Sequence, residues 1–201
     1  MNRALQELVS KDKELEKIIT RIQIPEIQST KNVFHDLMSC IIEQQIHYRS
    51  TKKTFQKLLI HSGIHQLTIE NFRVFETAGL QKANLSMKKW ETIQRTLDFF
   101  EESKIDWFKL TDQELRTTLK GIGGIGPWTQ DMILLYTLER PNIIPYEDYH
   151  LKEIMTKVYG LNPNSGLKAQ MKSIGANWHP HGSVATRILF EWKKSGGISL
   201  Q

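Results

Sequence analysis

Apolar residues recur at intervals of three and four along most of the chain, and alternation of period two is almost absent. That pattern predicts an all-α protein. Leu5, Leu8, Val9, Leu15, Ile18 and Ile19 form a first helical stripe, which ends in the irregular stretch from Ile22 to Gln28 around Pro25. A second helix, capped by Ser29 or Thr30, carries Val33, Phe34, Leu37, Met38, Ile41 and Ile42 and brings Gln44 and Gln45 to its end. A third starts at Ser50 or Thr51 with Phe55, Leu58 and Leu59, and a shorter one follows Thr68. Ser86 then caps a helix with Trp90, Ile93, Leu97 and Phe100 on one face.

The segment from Thr111 to Tyr149 is more specific. Thr111-Asp112-Gln113-Glu114 has the form of a capping box, so a helix is expected from there through Leu115 and Leu119 to about Lys120. Gly121-Ile122-Gly123-Gly124-Ile125-Gly126 stops it, and Pro127 suits the first position of the next helix. The prediction is helix, tight hairpin, helix, with free backbone N–H groups and a helix dipole at the second start, where a phosphate fits. Gly121, Gly123 and Gly126 also match the dinucleotide-binding fingerprint. That fingerprint must follow a buried strand, however, and DQELRTTLK is a polar, capped helix. A helix-turn-helix or a plain glycine-rich linker between core helices remains open from this segment alone.

Composition narrows the chemistry. The 201 residues, 39% of them hydrophobic, suffice for one domain or two small lobes with a real core. The charged residues, 24% of the chain, are interspersed, and no apolar run approaches the roughly 20 residues of a membrane span. The charged start, MNRALQELVSKDKELEK, shows no export signal, so a soluble protein of a reducing compartment is expected. The single Cys40 excludes an internal disulfide framework, a zinc knuckle and a four-cysteine iron–sulfur cluster built by this chain alone. A net charge of +5 suits a polyanionic partner without requiring one. His179 and His181 lack the further ligands of a zinc site, so no transition metal is assigned.

LKGIGGIGPWTQDMILLYTLERPNIIPYEDYHLK resembles the hairpin and catalytic loop of the helix-hairpin-helix DNA glycosylase superfamily, and is most similar to the 3-methyladenine DNA glycosylase II branch. Ile42-Glu43-Gln44-Gln45-Ile46 resembles that family's hydrophobic-x-Gln-Gln helix end, and Leu85-Ser86-Met87-Lys88-Lys89 its Leu-Ser-x-x-Lys helix start. Trp178-His179-Pro180, followed by Ser183-Val184-Ala185, resembles the segment opening the last long helix. The matches run in order from about Val33 to Trp192.

The resemblance implies a single all-α glycosylase domain, 1–201, with a helix-hairpin-helix at about 112–139. Its two helical lobes would be about 29–127, and about 1–28 plus 128–201, with the active-site cleft between them. The implied partner is double-stranded DNA carrying a damaged base, which is flipped out and cut at its N-glycosidic bond by a monomer. Alkylated purines, 3-methyladenine and 7-methylguanine, are the expected substrates; deaminated or oxidised bases, or a catalytically inactive DNA-binding module, are the alternatives. Location follows the genome: the cytoplasmic nucleoid if bacterial, the nucleus if eukaryotic.

By the same resemblance Asp148 is the catalytic carboxylate, with Glu147 its rival by one residue of register. Gln45 is the wedge into the base stack, with Gln44 beside it. Trp128, Met132 and Phe190 are pocket positions, Trp128 having core packing behind the hairpin as its other reading. Gly124, Gly126, Thr129, Lys88 and Lys89, with Arg49, would hold phosphates. The carbonyls of Lys120, Ile122 and Ile125 would hold a sodium or potassium ion, and no other cofactor or iron–sulfur cluster is implied. Trp128 stands where strand-cleaving members carry the Schiff-base lysine, which implies a monofunctional enzyme. The chain departs from the pattern at Met132, at Gly123 in place of the hairpin proline, and at Gly182 in place of an arginine.

Overall fold

The structure, a computed structural model, describes residues 3–24, 26, 28–43 and 53–197. Its described residues are helices and loops, with no strand among them. They divide into two compact units, one of residues 1–28 with 139–201 and the other of residues 29–138. Gln44, Gln45, Arg49, and the expected helix start at Ser50 or Thr51, lie outside the described residues.

In the first unit the opening stripe forms two helices, α1 (Arg3–Lys11) and α2 (Lys13–Ile19), rather than one. Asp12 makes the break: its backbone is extended, and Oδ1 accepts the Leu15 N–H at 2.9 Å, so it caps α2. Its other oxygen accepts the Tyr159 hydroxyl at 2.8 Å and the Trp178 indole N–H at 2.7 Å. A carboxylate only 8% exposed is thus satisfied by three donors, and burial of the Tyr159 hydroxyl, followed by the Asp12 charge beside it, pushes that hydroxyl far above its ordinary range. The remaining helices are numbered in chain order, and this unit adds α9 (Tyr149–Tyr159), α10 (Leu167–Ala176) and α11 (Gly182–Lys194). Leu8, Leu15, Ile18, Leu151, Ile154, Met155, Ile188 and Leu189 interleave around the fully buried Trp178. Each such aliphatic side chain contributes about 1.5–3 kcal/mol.

The second unit holds α3 (Val33–Glu43), α4 (Lys53–Ser62), α5 (Phe72–Ala78), α6 (Met87–Glu102), α7 (Asp112–Lys120) and α8 (Pro127–Met132). The predicted stripe of α3 is its core: Leu37, Met38, Ile41 and Ile42 are fully buried. The cap of α3 is Asn32, whose Oδ1 accepts the His35 N–H at 2.9 Å. The expected caps have other work: the Ser29 hydroxyl donates to Thr137 O, and the Thr30 hydroxyl to Asp36. Ser86 sits at the N-cap of α6, but its hydroxyl makes no cap bond.

The second crossing between units falls after Leu138, not near 127. α8 continues into a wider π turn, Ile133–Thr137, whose Ile133, Leu134 and Leu135 are fully buried. The Thr137 hydroxyl donates to Asp36 at 2.7 Å, and Arg116 of α7 pairs with Asp131 of α8 at 2.6 Å. Burial and polar ties therefore hold α8 with α3 and α7.

Candidate DNA-binding hairpin and catalytic carboxylate

The hairpin is built as the capping box predicts. Thr111 Oγ1 accepts the Glu114 N–H at 3.3 Å, while Glu114 Oε2 accepts the Thr111 N–H at 2.8 Å. After α7 the chain turns by Ile122 N–H to Leu119 O and Ile125 N–H to Ile122 O, both 3.1 Å. Ile122 and Ile125 point inward and are buried. Gly124 carries the turn: its φ is +101°, and a β-carbon there would stand 2.2 Å from Thr92 Oγ1 on α6. No other residue fits that approach.

Gly126 is the N-cap of α8 and Pro127 its first residue, so no side chain caps the opening turn. The helix start therefore keeps its favourable potential for an anion. Of the predicted phosphate positions, Gly124 is exposed and Gly126 half-buried, while Thr129 is 1% exposed, its hydroxyl inside the unit. Lys88 stands in solvent. Lys89 instead donates to Ile42 O at 2.7 Å, closing the end of α3; burial holds its ammonium below the usual lysine range, with the nearby Glu43 opposing. Trp128 and Met132, one turn apart on α8, are both half-buried.

The second group lies on the other unit. Asp148 follows a turn closed by its own N–H to Pro145 O at 2.8 Å, and it caps α9 by accepting the Leu151 N–H at 2.7 Å. It is 5% exposed. Glu147, one residue earlier, points outward and accepts from Lys152 at 3.1 Å and from Lys168. Those two ammonium groups, Lys168 first, hold its carboxyl below the ordinary glutamate range. Adjacent carboxylates thus have separate environments, one buried at a helix start and the other engaged in surface ion pairs.

Around Asp148 the structure adds residues the sequence reading did not single out. Tyr149, 73% exposed, stands next to it at the first position of α9. An available signal was that Tyr149 falls off the buried stripe of Leu151, Ile154 and Met155. Lys193 of α11 donates to His150 Nδ1 at 2.7 Å and to Glu153 at 2.6 Å. Phe190, on α11, is half-buried and packs on its own unit's core.

Gly182 is also explained. Its N–H donates to Asn142 Oδ1 at 3.2 Å, and a β-carbon there would meet that oxygen at 2.7 Å and Ile144 at 2.9 Å. An arginine cannot occupy that position without moving the 139–145 loop. His179 contacts Asn142, and His181 contacts Glu7 at 2.9 Å. Among the described residues no group of three or more His, Cys, Asp or Glu could hold a metal ion. No helix among them is long and apolar enough to cross a membrane.

No family model matches the chain. It is 27% identical over 172 residues, 81% of this chain, to a Bacillus subtilis protein whose name gives it as a provisional DNA-3-methyladenine glycosylase; those residues span 58% of that relative. The crystal structure of a Bacillus halodurans DNA-3-methyladenine glycosidase matches 98% of this chain and 92% of its own, at 23% identity and a TM-score of 0.77. A Schizosaccharomyces pombe 3-methyladenine DNA glycosylase, solved with abasic DNA, matches 96% and 97% at 21% identity and a TM-score of 0.75. With its glycine-turned hairpin and buried Asp148, the chain is similar in sequence to DNA-3-methyladenine glycosylases and has the all-helical fold of the solved ones.

Proposed function

We propose that this chain is a monofunctional DNA glycosylase acting as a monomer on duplex DNA, with alkylated purines such as 3-methyladenine and 7-methylguanine as substrates. The observation that carries the reading is Asp148, a 5%-exposed carboxylate fixed by the start of α9 while neighbouring Glu147 is held by two lysines. Positive charge develops on the sugar as the glycosidic bond breaks. A preorganised carboxylate stabilises that charge and orients or deprotonates the attacking water. Turning the base out of the duplex costs a few kcal/mol, least where damage has weakened pairing.

In this reading Gln45, with Gln44, fills the vacated stack, and Trp128, Met132 and Phe190 contact the flipped base. The Trp128 face attracts the positive charge of an alkylated purine. The hairpin N–H groups around Gly124 and Gly126 and the Lys88 ammonium hold phosphate, while Lys89 acts through α3. The Lys120, Ile122 and Ile125 carbonyls, hard oxygens on one tight turn, are the donor set for a sodium or potassium ion, although Ile122 O already accepts the Ile125 N–H. Replacing both ions with a bulky organic cation weakens DNA binding if that set is used.

The test is base release from duplexes containing 3-methyladenine, 7-methylguanine, hypoxanthine, uracil or 8-oxoguanine. Asp148→Asn is expected to lose roughly 10²–10³ in rate, the scale of one electrostatic group at a developing charge, with DNA binding retained. Full activity in Asp148→Asn with none in Glu147→Gln would move the role by one residue. No release of any base, with binding intact, would leave a binding module. Borohydride should trap no covalent adduct, since Trp128 has no amine.

A further inference from the structure

The two central glycines of the hairpin rest on α6 at residues one turn apart. Thr92 lies under Gly124, and Arg95 lies against Gly123: a β-carbon on Gly123 would stand 3.0 Å from Arg95 Cδ, 3.3 Å from Nη1 and 3.4 Å from Nε. The Arg95 side chain is half-exposed, and its Nη2 donates to Glu91 Oε2 at 3.3 Å, an equally exposed partner. An exposed pair of this kind is worth little in water, so Glu91 orients the guanidinium without neutralising it firmly. Lys88, seven residues before Arg95, projects from the same face of α6.

We infer that Arg95 is a phosphate-binding residue seated on the hairpin turn, and that Gly123 is glycine to give that guanidinium its seat. The inference rests on the proposed role of the hairpin in holding DNA. A planar fork with five donors keeps Nη1 and Nε available beside the turn while Nη2 faces Glu91, and it matches a phosphate better than an ammonium does. The grip then has two parts, backbone N–H groups of the turn and a guanidinium from α6. A β-carbon at 123 would make the Arg95 side chain give by a few tenths of an ångström and so move the second part off its seat.

Binding to a short duplex carrying an abasic-site analogue, followed by anisotropy over a range of KCl concentrations, tests this. Wild type should show affinity falling steeply with salt, and Arg95→Gln should bind more weakly with a slope shallower by about one. Gly123→Ala should weaken binding in the same direction, and adding it to Arg95→Gln should change little further. Glu91→Gln should bind more tightly. Lys109→Gln, which removes one surface charge elsewhere in the unit, should leave the slope unchanged. A steep wild-type slope that Arg95→Gln leaves untouched would overturn the inference and spare the hairpin reading. Salt-insensitive wild-type binding would overturn both.

Discussion

Gly124→Ala separates a glycine that the fold requires from one that merely lies in a glycine-rich run. Two penalties add. An alanine held at φ near +101° is outside the regions open to L-residues, which costs about 1–3 kcal/mol. Its β-carbon would also stand 2.2 Å from Thr92 Oγ1 and 2.8 Å from Thr92 Cγ2. Thr92 is buried and β-branched, and its hydroxyl already donates to Lys88 O at 2.9 Å, so it cannot rotate away freely. Overpacking of that kind costs about 1–3 kcal/mol more. For a chain of this size the sum of roughly 2–6 kcal/mol lowers the melting temperature by about 5–20 °C. Gly126→Ala is the control, because its φ is −88° and nothing lies within 4 Å of the added carbon. Thermal unfolding by circular dichroism reads both. Adding Thr92→Ala to Gly124→Ala should recover the steric part and leave the backbone part. Equal melting temperatures for the Gly124 and Gly126 variants would refute the reasoning.

Other outcomes follow from the polar groups. Asp12→Ala strands the Tyr159 hydroxyl, the Trp178 N–H and the Leu15 N–H, and should cost about 3–5 kcal/mol in denaturant unfolding. Asp148→Asn keeps an N-cap acceptor for Leu151 and should melt close to wild type, whereas Asp148→Ala should lose about 0.5–2 kcal/mol. Equal stability of the two would remove the cap from the account. The Lys193 hydrogen bond holds the Glu153 carboxyl below its ordinary value of 4.5, so its contribution is complete above that pH and is lost as pH falls through the depressed value. Unfolding curves from pH 6 downward should therefore show a shallower acid loss in Glu153→Gln. An unchanged acid limb would dismiss the pair.

Periodicity and capping chemistry were enough for the all-helical class, the stripe of α3, the Thr111–Glu114 box and the two helices flanking the glycine run, because each depends on residues within a turn or two of one another. What the sequence by itself could not decide depends on groups distant along the chain. Asp12, which breaks the first helix by a local cap, is buried there with Tyr159 and Trp178 donating to it from the far end of the chain. The caps expected at Ser29 and Thr30 are drawn to Thr137 and Asp36. Lys89 is taken by the end of α3, which its Leu-Ser-x-x-Lys motif does not reveal. The different surroundings of Glu147 and Asp148 depend in part on Lys168, twenty-one residues downstream of Glu147, which engages that carboxylate at the surface while Asp148 is buried. Gly123 and Gly182 read as losses in the sequence, an absent proline and an absent arginine. In three dimensions Arg95 and Asn142 occupy the space beside them. Local hydrogen bonding and burial period are written in neighbouring residues; which charged group meets which is decided only when packed helices bring distant side chains to within 3 Å or so of one another.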